Sequence, residues 1–138
     1  MRRTYAARRD VGYAGAEYRV YGFMRVADAV RFYGALHATW DGAQLAADLN
    51  AAGLTPQLEV RRMKTAYQRA LVLALIAAAR PETLVIERAD QFDATAAAEL
   101  LDRVVRRAPR ALVTYASAAT IPSALFDATL PATEFATT

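Results

Sequence analysis

PETLVIERADQFD, residues Pro81 to Asp93, is the stretch on which the whole chain turns. Arg80-Pro81 closes whatever helix precedes it, because proline pushes the residue before it out of the helical region. Thr83 to Ile86 then form a short apolar strand that runs straight into Glu87, Arg88, Asp90 and Asp93. Two roles are open to that cluster. The carboxylates could offer oxygen ligands to a hard cation. Alternatively, Arg88 supplies the counter-charge from within and the cluster is a salt-bridged strand end, which is the reading we adopt. Neighbours on an extended segment point to opposite faces, so Glu87 is expected to pair with Arg80 or Arg110 rather than with Arg88.

Working outward, the spacing predicts strands at Val11 to Ala14 and Ala111 to Tyr115. Val26, Ala29, Val30, Tyr33 and Leu36 recur with helical period, and a second helix is expected from the cap Asp41 to Gly53, burying Leu45 and Leu49. Residues 55 to 62 connect to a third helix over Lys64 to Ala79. A fourth, over Ala94 to Arg107, is expected to bury Ala97, Leu100, Leu101 and Val104 and to turn Asp102, Arg103, Arg106 and Arg107 to water. Strand, helical insert, helix, strand, helix, strand is the order of an α/β fold with a parallel sheet. No repeat or long linker divides the 138 residues, so a single domain is expected.

Composition narrows the function. Hydrophobic residues at 55% with 22% charged exclude a disordered chain. The longest apolar run, Ala70 to Ala79, is about half of the roughly 20 residues a membrane span needs. The basic amino terminus lacks the apolar core of a signal peptide, so a cytoplasmic location is expected. The absence of cysteine excludes disulfides and thiolate metal sites. The single histidine, His37, offers no histidine-based metal spacing, and it is expected on the surface of the insert helix rather than in catalysis. Net charge is +3, and every basic residue but Lys64 is arginine. Arginines cluster at 2, 3, 8 and 9 and at 103, 106, 107 and 110, yet no recognition motif accompanies them.

The order of elements and the residues themselves resemble the ATP-binding subunit of an ABC transporter, of the ABC-2 exporter type, from just before the Q-loop to just after the H-loop. RRDVGYAGAEYRVYGFMRVADAVRFYGALHATWD, residues 8–41, resembles the Q-loop strand, the loop behind it and the helical insert, the Q-loop and insert taking about residues 15–62. RRMKTAYQRALVLALIAAARPETLVIE resembles the signature motif, its helix and the Walker B strand. ALVTYAS resembles the strand that ends at the H-loop, so that residues 63–138 hold the second part. The resemblance implies a partial P-loop ATPase core, cut before the Q-loop, with a short parallel sheet and a helical insert.

It also implies a degenerate site. No GxxxxGK[ST] phosphate loop occurs in the sequence. The Q-loop glutamine falls at Ala16, or at Glu17 if the loop slips by one. The signature reads Met63, Lys64, Thr65, Ala66, Tyr67, without its glycines. The Walker B aspartate corresponds to Glu87, the catalytic glutamate to Arg88, the D-loop to Gln91-Phe92-Asp93, and the H-loop histidine to Ser117. An arginine cannot take a proton from an attacking water. The expectation is therefore a catalytically inactive relative with no catalytic residues and no metal. No cofactor is expected, MgATP being held weakly at most.

Such a chain would act through protein contact, as an accessory or regulatory subunit. Its expected partners are a second copy or an intact ABC ATP-binding subunit, with a membrane permease beyond. Tyr13, Tyr18, Tyr21, Phe23, Leu112 and Thr114 are the interface candidates, since aromatics with polar tips suit half-buried surfaces. Two alternatives stand beside this: one part of a split ATPase completed by a partner bearing the phosphate loop, and a small basic nucleic-acid-binding protein. Nucleic acid is the less favoured partner.

Overall fold

A computed structural model describes residues 11–16 and 20–117. Glu17, Tyr5, Tyr18, the arginines at 2, 3, 8 and 9, and the carboxyl-terminal segment from residue 118 lie outside those residues. The elements in chain order are β1 (Val11–Ala14), α1 (Val26–Ala35), α2 (Gly42–Ala51), α3 (Thr65–Ala78), β2 (Thr83–Ile86), α4 (Thr95–Arg107) and β3 (Arg110–Val113). Short 3-10 turns occupy Val60–Arg62 and Ala89–Gln91.

Local chemistry sets the helix ends. The Asp41 side chain accepts from the Gln44 N–H at 3.0 Å and caps α2, which ends where Gly53 takes φ +73°. After α3 the chain reverses at Arg80, itself in the left-handed region at φ 55°, and Pro81 starts the run into β2. α3 is the apolar hub. Its residues 70–75 are all buried, and it packs against β1, α2 and α4. Gly12 allows β1 to lie this close: a Cβ there would stand 2.6 Å from Ile76 Cγ2 and 2.8 Å from Pro81 Cγ.

The sheet is parallel throughout, in the order β1-β2-β3, with β2 central as expected. The register aligns Gly12, Leu84 and Ala111 in one row and Ala14, Ile86 and Val113 in another. These rows form the face packed under the helices, with Leu84, Ile86 and Ala14 buried. The alternate rows, Val11-Thr83-Arg110 and Tyr13-Val85-Leu112, form the other face. There Val11, Tyr13 and Leu112 stay 40%, 52% and 45% exposed. A parallel sheet is ordinarily covered on both faces. Among the described residues this one is covered on one.

Two expectations require correction. The last strand is Arg110–Val113, not Ala111 to Tyr115, because its partner β2 stops pairing after Ile86, where Arg88 turns left-handed. Arg103 and Arg107 do not simply face water. Asp48 on α2 is 2% exposed and draws both toward it: Arg107 Nη1 and Nη2 donate to its two carboxylate oxygens at 3.0 and 2.7 Å, and Arg103 Nε lies 3.9 Å away. α4 is thereby joined to the helical insert.

Candidate functional site at the carboxyl ends of the strands

Parallel strands bring their carboxyl ends to one edge, and that edge gathers residues far apart in sequence. Ala16 follows β1, Glu87 and Arg88 follow β2, and Thr114 to Ser117 follow β3. The main chain knits them together. Glu87 N–H donates to Ala14 O at 3.0 Å, Thr114 N–H to Ile86 O at 2.9 Å, and Ala89 N–H to Thr114 O at 2.8 Å. Arg88 sits at φ 51°, a conformation that costs a residue with a Cβ about 1–2 kcal/mol. Its N–H donates to Thr114 Oγ1 at 2.9 Å, which helps hold it there.

The Arg88 guanidinium folds onto Asp90, Nη2 to Oδ2 at 3.2 Å and Nε to Oδ1 at 3.3 Å. Asp90 Oδ1 also accepts from the Ala116 N–H at 3.0 Å, so one carboxylate ties the loop after β2 to the segment after β3. The Arg88 hydrogen bond holds the Asp90 carboxyl below its usual range, against the opposing effect of burial. In return Asp90 raises the already high Arg88. Burial, and then the Asp90 charge, push the Tyr115 phenol up, so it keeps its proton at neutral pH. Among the described residues the ion pair of this terminus is Arg88 with Asp90, and none joins Glu87 to Arg80 or Arg110, contrary to expectation. Asp93 lies exposed beyond the 3-10 turn. Among the described residues, no three His, Asp or Glu side chains are grouped to hold a metal ion.

Sequence reasoning missed the residue at the centre. Arg69, on α3, is 1% exposed. Its Nη2 donates to Glu87 O at 2.5 Å and Ala14 O at 3.2 Å, and Nη1 donates to Gln91 Oε1 at 2.7 Å and Arg88 O at 3.4 Å. Phe92 lies 5.0 Å beneath the guanidinium carbon. One planar fork therefore collects carbonyls from the ends of β1 and β2 and from the turn beyond. The signal was present in the sequence: Arg69 is the one charge inside the apolar run 66–79, three residues after Ala66 and four before Leu73, on the buried stripe.

Arg69 stands one turn inside α3, so Met63 to Tyr67, the segment expected to correspond to the signature, enters the helix close to the same edge. Met63 and Ala66 are buried, Tyr67 is half-buried, and Lys64 and Thr65 are exposed. Gln68 Nε2 donates to Val60 O at 3.2 Å and Met63 O at 3.0 Å, fixing the loop that enters the helix. The interface candidates separate into two places. Tyr13 and Leu112 share the open sheet face, with Thr114 exposed just beyond β3. Tyr21 and Phe23, 60% and 76% exposed, stack on each other in the loop before α1. His37 is exposed and stacks on Trp40, away from the strand ends.

As chemistry, the edge offers a guanidinium, Arg88, already engaged with the Asp90 carboxylate. No helix among the described residues is long and apolar enough to cross a membrane. No protein-family model and no curated protein matches the chain. Solved structures do. The chain is similar to an ATP-binding subunit of an ABC transporter, at 16% identity and a TM-score of 0.64, covering 81% of this chain and 51% of that one. It is also similar to a protein described as a cobalt transport ATP-binding protein, at 20% identity and a TM-score of 0.59, covering 77% of this chain and 42% of that one. The chain spans about half or less of the structures it matches. At such identities the likeness is one of fold: a mixed α/β domain with a short parallel sheet, similar to ABC ATPase domains.

Proposed function

We propose that this chain is an ABC ATPase-like protein without hydrolytic activity that works by binding another protein, as an accessory or regulatory subunit related to an ABC transporter. The observation that carries the proposal is Arg88. At the position that the resemblance gives to the catalytic glutamate stands a guanidinium bonded to Asp90, with its backbone tied to Thr114. It can accept no proton from water. Met63 to Tyr67 offer no glycine for a close approach to phosphate, and Ser117 replaces the histidine expected there. The open sheet face supports the protein-binding half of the proposal. Fully burying an apolar side chain contributes about 1.5–3 kcal/mol, and Val11, Tyr13 and Leu112 are already about half buried, so a partner covering all three would gain roughly 2–4 kcal/mol before association costs.

The test is titration calorimetry with MgATP and a phosphate-release assay, alongside light scattering over a concentration series. The expected results are no tight binding, no turnover, and a mass above the monomer or association with an intact ABC ATP-binding subunit. A micromolar dissociation constant for MgATP, with turnover, would overturn the first half; a monomer binding no such subunit would overturn the second. One observation favours a second reading, one part of a split ATPase completed by a partner: Glu87 keeps a carboxylate at the position that the resemblance gives to the Walker B aspartate. Turnover that appears only on mixing with a phosphate-loop-bearing partner would select it.

A further inference from the structure

The stacked pair Tyr21 and Phe23 has no part in the site at the strand ends, and its surroundings are unusual. The loop that carries it is fixed rather than loose. Met24 N–H closes a turn onto Tyr21 O at 3.0 Å, Arg61 N–H donates to Gly22 O at 3.1 Å, Val60 N–H to Met24 O at 3.0 Å, and Val26 N–H to Leu58 O at 3.0 Å. An isolated antiparallel bridge pairs Arg25 with Glu59. Two rings with centroids 5.6 Å apart are therefore held outward on a braced loop, with Phe23 76% exposed.

Beside them the charge is unbalanced. Arg61 flanks Gly22, the residue between the rings: a Cβ on Gly22 would lie 3.3 Å from Arg61 Cβ. Arg25, Arg61 and Arg62 all converge on Glu59, at 4.0, 2.9 and 3.6 Å. Three guanidinium groups share one carboxylate, and their side chains remain 50%, 66% and 73% exposed. Lys64 follows, also exposed. A braced aromatic pair rimmed by excess cations matches the layered chemistry of an anionic bilayer surface, with phosphates and carboxylates outermost and an apolar boundary just beneath. Rings of this kind settle at that boundary while arginines reach the headgroups.

We propose that Tyr21 and Phe23, with Arg25, Arg61 and Arg62, form a docking surface for acidic lipid headgroups, independent of the proposed protein-binding role. The test is co-sedimentation of the full chain with phosphatidylcholine vesicles, with and without about one-third phosphatidylserine. Binding is expected only to the acidic vesicles, weakening as salt rises. Arg61→Gln with Arg62→Gln should weaken it at least tenfold, and so should Tyr21→Ser with Phe23→Ser. All four positions are exposed, so circular dichroism should show the fold unchanged. Phe23→Trp should bind normally and be quenched by bromine-labelled acyl chains. Failure to bind acidic vesicles, binding indifferent to both pairs of substitutions, or a Phe23→Trp side chain untouched by the quencher would each overturn the proposal. Retention on single-stranded nucleic acid or polyglutamate through these residues, without vesicle binding, would reassign the surface to that partner.

Discussion

Replacing Arg69 by methionine removes the fork while keeping a side chain of similar length in the core. Three of its bonds are 3.2 Å or shorter, to Glu87 O, Ala14 O and Gln91 Oε1. Hydrogen bonds from a charged donor contribute about 1.5–3 kcal/mol each. Methionine recovers part of this, because burying a cation carries a desolvation cost of several kcal/mol. What it cannot recover is the carbonyls left facing an apolar chain. The net loss is expected at about 3–5 kcal/mol, a large share of the roughly 5–15 kcal/mol available to a domain. At this size that corresponds to a melting midpoint lower by about 10–20 °C. Arg69→Lys keeps the charge but not the planar fork and should lose about half as much. Urea denaturation followed by circular dichroism measures both, provided the slope with denaturant is unchanged. A methionine variant within about 1 kcal/mol of the parent would refute the assignment of Arg69 as the clamp on the strand ends.

Asp48→Ala should cost about 1–3 kcal/mol in the same assay, because it removes the buried acceptor of both Arg107 bonds while the half-exposed arginines turn to water; a loss under about 0.5 kcal/mol would show the pair to be incidental. Gly12→Val should cost at least about 1–3 kcal/mol from overpacking against Ile76 and Pro81, and an unchanged urea midpoint would contradict the close approach of β1 to α3. Asp90 has a folded-state pKa below its ordinary value, so its contribution to stability is present above that value and lost as pH falls through the folded one. Carboxyl-carbon NMR should accordingly find Asp90 titrating below 3.8, and Arg88→Gln should move the midpoint up; no movement would mean that the pair does not form in solution.

Local signals made much of the architecture legible. Val11–Ala14 and Thr83–Ile86 appear as strands with the bounds expected, and α2 begins after Asp41 and stops short of Gly53, because caps, glycine and proline act on their immediate neighbours. The end of β3 was not legible. Thr114 and Tyr115 favour a strand as much as Leu112 does, but pairing stops where β2 runs out of partners, a property of the sheet rather than of the segment. Arg103 and Arg107 look solvent-facing on a helical wheel, and only the approach of α2 supplies Asp48. Arg69 is the same lesson from the other side, since its acceptors lie 18 to 55 residues away in the chain. The open sheet face was not legible, because the rows that define it depend on the register of all three strands. The identities expected at positions 16, 63–67, 87, 88 and 117 came from resemblance, and the fold gathers these segments around Arg69 and the strand ends.

The attachment of α2 has a mechanical meaning. At its start, Asp41 N–H donates to Ala78 O at 2.7 Å, at the last turn of α3; near its end, Asp48 grips Arg107 through two bonds. A rod pinned at both ends cannot swivel on its own. The braced loop of Tyr21 and Phe23 leads directly into α1, whose first N–H is held by the chain that follows α2. A load applied at those rings would therefore travel as a push along stiff members into α3 and α4, on which the sheet rests, rather than dissipate in a hinge.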